Sequence, residues 1–194
     1  MKDNKKVLYG LVALALVLSV AGITIGFAAM STDLTINGSA EVVPASWDIK
    51  FKDLSAPTIT GDAEVTTAPT ITSDTHIGNY AVKLTKPGDS VTYTFKVAND
   101  GSIDAVLTDF IKATPTFTGT GTTAAADATI VENNFVYTIT YSDDTAITKN
   151  TDELEADTYK TVKLVVEYDK NATTLPTNTV TISGLDVTFT YGQK

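Results

Sequence analysis

The sequence predicts an all-β protein: a single β-sandwich or jelly-roll domain of about eight or nine antiparallel strands behind an N-terminal signal peptide. Apolar and polar residues alternate with a period of two in many short segments, each bounded by Gly, Pro, Asn or Asp. No segment keeps a helical period over a dozen positions. Threonine is the dominant residue after the leader, and β-branched side chains suit a pleated, half-buried surface.

Residues 1–29 read as a leader. "MKDNKK" is basic, Val7 to Ala29 is an unbroken apolar run, and the small residues Gly26, Ala28 and Ala29 precede polar sequence. Basic head, apolar run and small-residue exit make a secretory signal peptide cleaved after Ala28 or Ala29, so the mature chain starts near Met30. The run also reaches the roughly 20 residues that a bilayer span needs, so an uncleaved anchor is the competing reading.

Residues 30–43 follow as an N-terminal strand, with Leu34, Ile36, Gly38, Ala40 and Val42 alternating against polar positions. The domain proper occupies 44–194. "SWDIKFKDL" puts Trp47, Ile49 and Phe51 on one face, and Trp47 is expected in the core. The pentapeptide APTIT occurs at 56–60 and again at 68–72, which suits a surface loop or small edge hairpin. Further strands are expected at Tyr80–Leu84, in "SVTYTFKVAN", "DAVLTDFI" and "NNFVYTITY", and in "TVKLVVEYD" and "TVTISGLDVTFTYG". The segment 118–129, "TGTGTTAAADAT", reads as a small-residue loop, and "NTDELEADTYK" as one helical turn at most.

The most regular stretch is "KPGDSVTYTFKVANDGSID". Pro87 and Gly88 form a turn dipeptide, proline setting φ and glycine supplying φ > 0, with Asp89 leading into the strand. Val91, Tyr93, Phe95 and Val97 form its buried face. Asn99, Asp100 and Gly101 read as a tight return, because these residues tolerate left-handed geometry. A second strand with Val162, Leu164, Val166 and Tyr168 on one face repeats the device.

Composition excludes several function classes. There is no cysteine, so disulfides, thiol nucleophiles and zinc–thiolate sites are ruled out. All 14 basic residues are lysines, and once the basic leader is set aside the acidic excess exceeds the −9 of the whole chain. An acidic surface without arginine repels phosphate backbones, which argues against a nucleic-acid partner. The chain has one histidine, His76, in a loop, with no HExxH pair and no Gly-x-Ser-x-Gly elbow, so neither a zinc hydrolase nor a serine triad is legible. Calcium is the better ligand candidate, with oxygen-rich loops at Ser142–Thr145, near Asp100 and at 151–157. None has the spaced acidic calcium loop, and a solvated acidic surface is the simpler reading. "LPTNT" at 175–179 is similar to a sorting signal but runs into a strand, and Asn37 and Asn171 lie in glycosylation sequons.

The leader ending "GITIGFAAMSTDLTING", the "SWDIKF" strand and "LTKPGDSVTYTFKVANDGSIDA" together resemble the TasA/camelysin family of secreted proteins, matured by a SipW-type signal peptidase. The resemblance covers the leader and the first half of the mature chain. The second half is similar only in its β pattern. It implies a jelly-roll subunit of extracellular or biofilm-matrix fibres, in which the segment after the cleavage site donates a strand to the next subunit. Leu34, Ile36 and Val42 would then enter a neighbour's core. The implied partners are further copies of the chain, other matrix or cell-wall components, and the signal peptidase during export. No cofactor is implied. Some relatives are catalogued as metallopeptidases, an activity that the lone His76 does not support. The competing reading is a monomeric cell-surface binding or adhesion module.

Overall fold

The structure, a computed structural model, describes residues 3–28 and 38–194. It divides into two units, Met1–Val43 and Pro44–Lys194. In the first, α1 (Asp3–Ala28) takes up nearly all of the apolar leader, and Gly38–Val43 has no regular structure. Side chains of α1 are described for 5–17. Among the described residues no helix is long and apolar enough to cross a membrane.

The second unit is all-β with one helix. Six short strands open it: β1 (Ile49–Lys52), β2 (Thr58–Thr60), β3 (Glu64–Thr67), β4 (Ile71–Ser73), β5 (His76–Ile77) and β6 (Ala81–Lys83). The long β7 (Ser90–Asn99) and β8 (Ala105–Lys112) follow, then β9 (Thr116–Gly119), α2 (Ala124–Asn134) and β10 (Phe135–Tyr141). The chain ends with β11 (Glu153–Leu154), β12 (Thr158–Tyr168), β13 (Val180–Ser183) and β14 (Val187–Gln193).

All pairings are antiparallel. The main sheet runs β1-β7-β12-β10, with β2 continuing the β1 side of β7, and a three-stranded sheet runs β11-β8-β14. Three two-stranded pairs, β13-β9, β3-β6 and β4-β5, complete the fold. Register aligns the apolar rows that the alternation predicts. Ile139, Leu164 and Tyr93 stand abreast, as do Tyr137, Val166 and Val91. Buried Leu107 and Leu154 come from the smaller sheet, and Phe189 meets Phe51 and Phe95 across the gap. The two sheets therefore share one sandwich-like core.

Four expectations are corrected here. Asn99–Gly101 is not a hairpin turn: β7 and β8 lie in different sheets, so the chain arches from one to the other. None of the three residues has positive φ. Asn99 instead is fully buried, its Nδ2 donating to the Ile103 and Leu154 carbonyls (2.8 and 3.1 Å) and its Oδ1 accepting from Gly101 N–H. Gly101 is needed for close approach, because a Cβ there would stand 2.6 Å from Ser46 O and 2.8 Å from Asp48 N. Those neighbours belong to the 46–48 backbone, which Asp100 and Ser102 N–H groups bond.

Trp47 is 45% exposed and precedes its strand, so the core face begins at Ile49. The small-residue segment 118–129 is not a loop throughout, since α2 starts at Ala124. Its alanine run is strongly helix-forming, and only Asp127 and Val131 are buried, which leaves no apolar stripe to betray it. The count of strands also exceeds nine, because residues 58–77 form four short strands and Thr116–Gly119 and Glu153–Leu154 add two more.

Candidate docking cleft

The two terminal strands β1 and β14 leave a cleft of about 530 Å³ on one side of the sandwich. Phe51 of β1 and Phe189 of β14 are half-buried and face it, with Tyr93, Phe95 and Val97 of β7 among the lining residues. Rings Phe51 and Phe95 meet edge-on at 5.5 Å, and Phe189 lies 6.3 and 6.5 Å from them. These edge-to-face contacts are favourable, and they fix an aromatic wall.

The β4–β5 hairpin borders the cleft. Gly78 N–H donates to Thr70 O at 2.7 Å, and Phe51 N–H donates to Asp74 O, fastening the hairpin loop to the β1 edge. His76 lies in β5, exposed, and lines the cleft with Asp74 and Asp186. Lys50 also lines it but is committed: its ammonium pairs with Asp48 at 2.6 Å and Asp100 at 3.0 Å. The hydrogen bonds to Asp48 and Asp100 hold the Lys50 ammonium above the ordinary lysine range.

Three tyrosines meet behind the wall. Tyr137 OH donates to Leu185 O at 2.7 Å and Tyr80 OH to the same carbonyl at 3.2 Å. The Tyr80 ring sits 5.2 Å from that of Tyr93. Burial raises all three phenols above the usual range, so they act as neutral hydroxyls. The Tyr93 hydroxyl, in a side chain that is buried, has no partner among the described residues.

The predicted residues fall as follows. Leu34, Ile36 and Ala29 lie outside the described residues, and Ala28 is the last residue of α1. Val42 is 92% exposed and Val43 75% exposed. Pro87 and Gly88 form the expected turn, with Gly88 at φ 90° and Asp89 N–H bonded to Lys86 O. Asp89 does more than lead into β7. Its fully buried carboxylate accepts from Asp62, Thr85 and Lys86 N–H at 2.8, 2.7 and 3.0 Å, tying the 61–62 and 85–86 loops together. Burial alone would raise its pKa, but those three donors and the Lys86 charge outweigh burial and lower it.

A second buried carboxylate was missed by sequence reasoning. Asp127 accepts from Thr177 and Asn178 N–H (2.8 and 3.0 Å) and from the Thr123 hydroxyl (2.7 Å), clamping "LPTNT" onto α2. The Thr177 N–H, then the Thr123 hydroxyl, lowers its pKa. An isolated Asp in an alanine run gave no signal of this.

The acidic loops named for calcium are otherwise engaged. Asp100 pairs with Lys50 and Lys52, Asp143 caps Thr145, and Asp152 accepts from Tyr141 OH and Thr148 N–H. Among the described residues no group of three or more acidic or histidine side chains is placed to hold a metal. In comparison with known proteins, the chain matches no family model, no curated sequence and no solved structure.

Proposed function

We propose that the chain is an exported, non-enzymatic subunit of an extracellular fibre, assembled by strand addition from one subunit to the next. The observation that carries this reading is the open cleft between terminal strands β1 and β14, walled by Phe51, Phe95 and Phe189. Phe51 N–H on the β1 edge is held by Asp74 O, so an added strand takes over that edge by displacing the 74–78 loop, while its alternate side chains fill the apolar space. The donor is residues 30–43, whose Leu34, Ile36 and Val42 share one face of an extended strand. Contacts of this head-to-tail kind do not close, so they propagate as filaments.

The resemblance of the leader, of the SWDIKF strand and of the Leu84–Ala105 stretch to the TasA/camelysin family supports the same reading and adds export with removal of the leader. The domain is then a jelly roll by family analogy. The reading needs no metal and gives His76 no catalytic part. The cleft volume also suits a small ligand, which is the observation favouring a monomeric surface-binding module.

Among the described residues, every buried core residue lies within Pro44–Lys194, so a chain starting at Met30 keeps all of them. Sedimentation of that chain tests the proposal. Assembled material that is lost on Leu34→Asp or Ile36→Asp supports it, and a chain that stays monomeric at every concentration refutes it.

A further inference from the structure

The cleft carries charge as well as rings. Asp74 and Asp186 both line it, and both residues are exposed. Asp74 belongs to the loop whose carbonyl bonds Phe51 N–H on β1, and Asp186 directly precedes β14, so the two carboxylates come from opposite walls. Burial is the main cause that raises the Tyr80 and Tyr137 phenols, and the Asp186 charge adds to it, which puts this carboxylate near both rings.

Neither carboxylate is neutralised from within the domain. Among the described residues no lysine lies within ion-pair distance of Asp74 or Asp186. Lys50, the lysine that lines the cleft, is already held between Asp48 and Asp100 at 2.6 and 3.0 Å. His76 is the remaining basic side chain of the lining, counted as neutral at pH 7. The chain has no arginine to reverse this balance. An acidic rim therefore stands over an aromatic wall. Small-molecule sites have this form, a mostly apolar cavity of roughly 300–1,000 Å³ with a few convergent polar groups. Aromatic faces and carboxylates attract the same kind of charge, a cation.

We propose that the cleft binds a small organic cation, an ammonium group on an apolar or aromatic body, with Asp74 and Asp186 drawing the ammonium and Phe51, Phe95 and Phe189 packing the body. The site goes beyond strand addition and does not depend on it. A bound cation and an inserted strand would compete for the same space.

The test compares three probes that share one body and differ in charge: 2-phenylethylammonium, 2-phenylethanol and 3-phenylpropionate. Each is titrated at low salt into the Met30–Lys194 chain below the concentration at which it sediments. Dissociation constants are read from amide shifts, followed at Phe51, Val187 and Phe189. The ammonium is expected to bind about tenfold tighter than the alcohol, from two exposed charge contacts and one cation–π contact, with the carboxylate weakest. Asp74→Asn and Asp186→Asn should each weaken the ammonium about threefold, and together bring it to the level of the alcohol, whose own binding stays unchanged. Raising the salt to about 0.3 M should shrink the advantage of the ammonium. Both replaced side chains are exposed and the Asp74 carbonyl bond to Phe51 is kept, so the variants should melt with the parent. An ammonium that binds no tighter than the alcohol, keeps its affinity in the double variant, or shifts amides away from the cleft overturns the site. A chain that sediments but prefers no cation overturns the site alone and leaves strand addition standing, whereas one that binds the cation and never sediments supports the site and overturns strand addition.

Discussion

Replacing Asp89 probes how the β7 strand is held at its start. Its carboxylate is fully buried, with one oxygen accepting from Asp62 N–H at 2.8 Å and the other from Thr85 and Lys86 N–H at 2.7 and 3.0 Å. Asparagine keeps the shape but has only one acceptor oxygen, so whichever way it turns, an NH2 faces at least one backbone N–H. Each hydrogen bond to a charged group contributes about 1.5–3 kcal/mol, and at least one of the three is lost, so Asp89→Asn should cost about 2–4 kcal/mol. Urea unfolding of the Met30–Lys194 chain measures this, provided the slope of free energy against urea is unchanged. The sign of the pH effect follows from the lowered pKa. The unfolded carboxyl titrates near 3.9, about the usual value for Asp. A depressed folded pKa means that the stabilisation is present above that value and is lost as pH falls through the folded one. The penalty of Asp89→Asn should therefore shrink in acid. A loss below about 0.5 kcal/mol at neutral pH, or a penalty that grows as pH falls, would refute the reasoning.

Other substitutions address separate parts of the account. Gly101→Ala places a methyl 2.6 Å from Ser46 O, and the strain should cost about 1–3 kcal/mol, read as a lower melting temperature with faster amide exchange at Asp100 and Ser102. Asn99→Ala leaves the Ile103 and Leu154 carbonyls without their donor, and about 2–4 kcal/mol of stability should be lost in urea titration. Asp127→Asn should release the Thr177–Asn178 segment from α2, seen as local hydrogen exchange there while β7 and β12 amides keep their protection.

What the sequence made legible was set by local periodicity. The alternation in "SVTYTFKV" and "TVKLVVEY" places the same side chains in the core that the structure buries, because one residue of slip would turn every one of them outward. The Pro87-Gly88 turn was readable for a similar reason, since its demand on φ is met by residue type alone. Long-range partners leave no such mark. Asp89 reaches Asp62, Asn99 reaches Leu154 and Asp127 reaches Asn178, distances of 27, 55 and 51 residues along the chain. That is why Asn99-Asp100-Gly101 reads as a hairpin turn. The same residue types serve an arch between sheets, where side-chain hydrogen bonds and close approach matter instead of left-handed φ. The cleft escaped the sequence for the same reason: its walls come from β1, β7 and β14, and only the packing of one sheet on the other brings them together.

Negative-stain electron microscopy of the Met30–Lys194 chain, beside the same chain lacking Met30–Val43, tests the central claim most directly. Strand addition predicts filaments of uniform width from the longer chain and dispersed, folded particles from the shorter one. Dispersed particles from both, with or without calcium, would contradict it and leave a monomeric surface-binding module in its place.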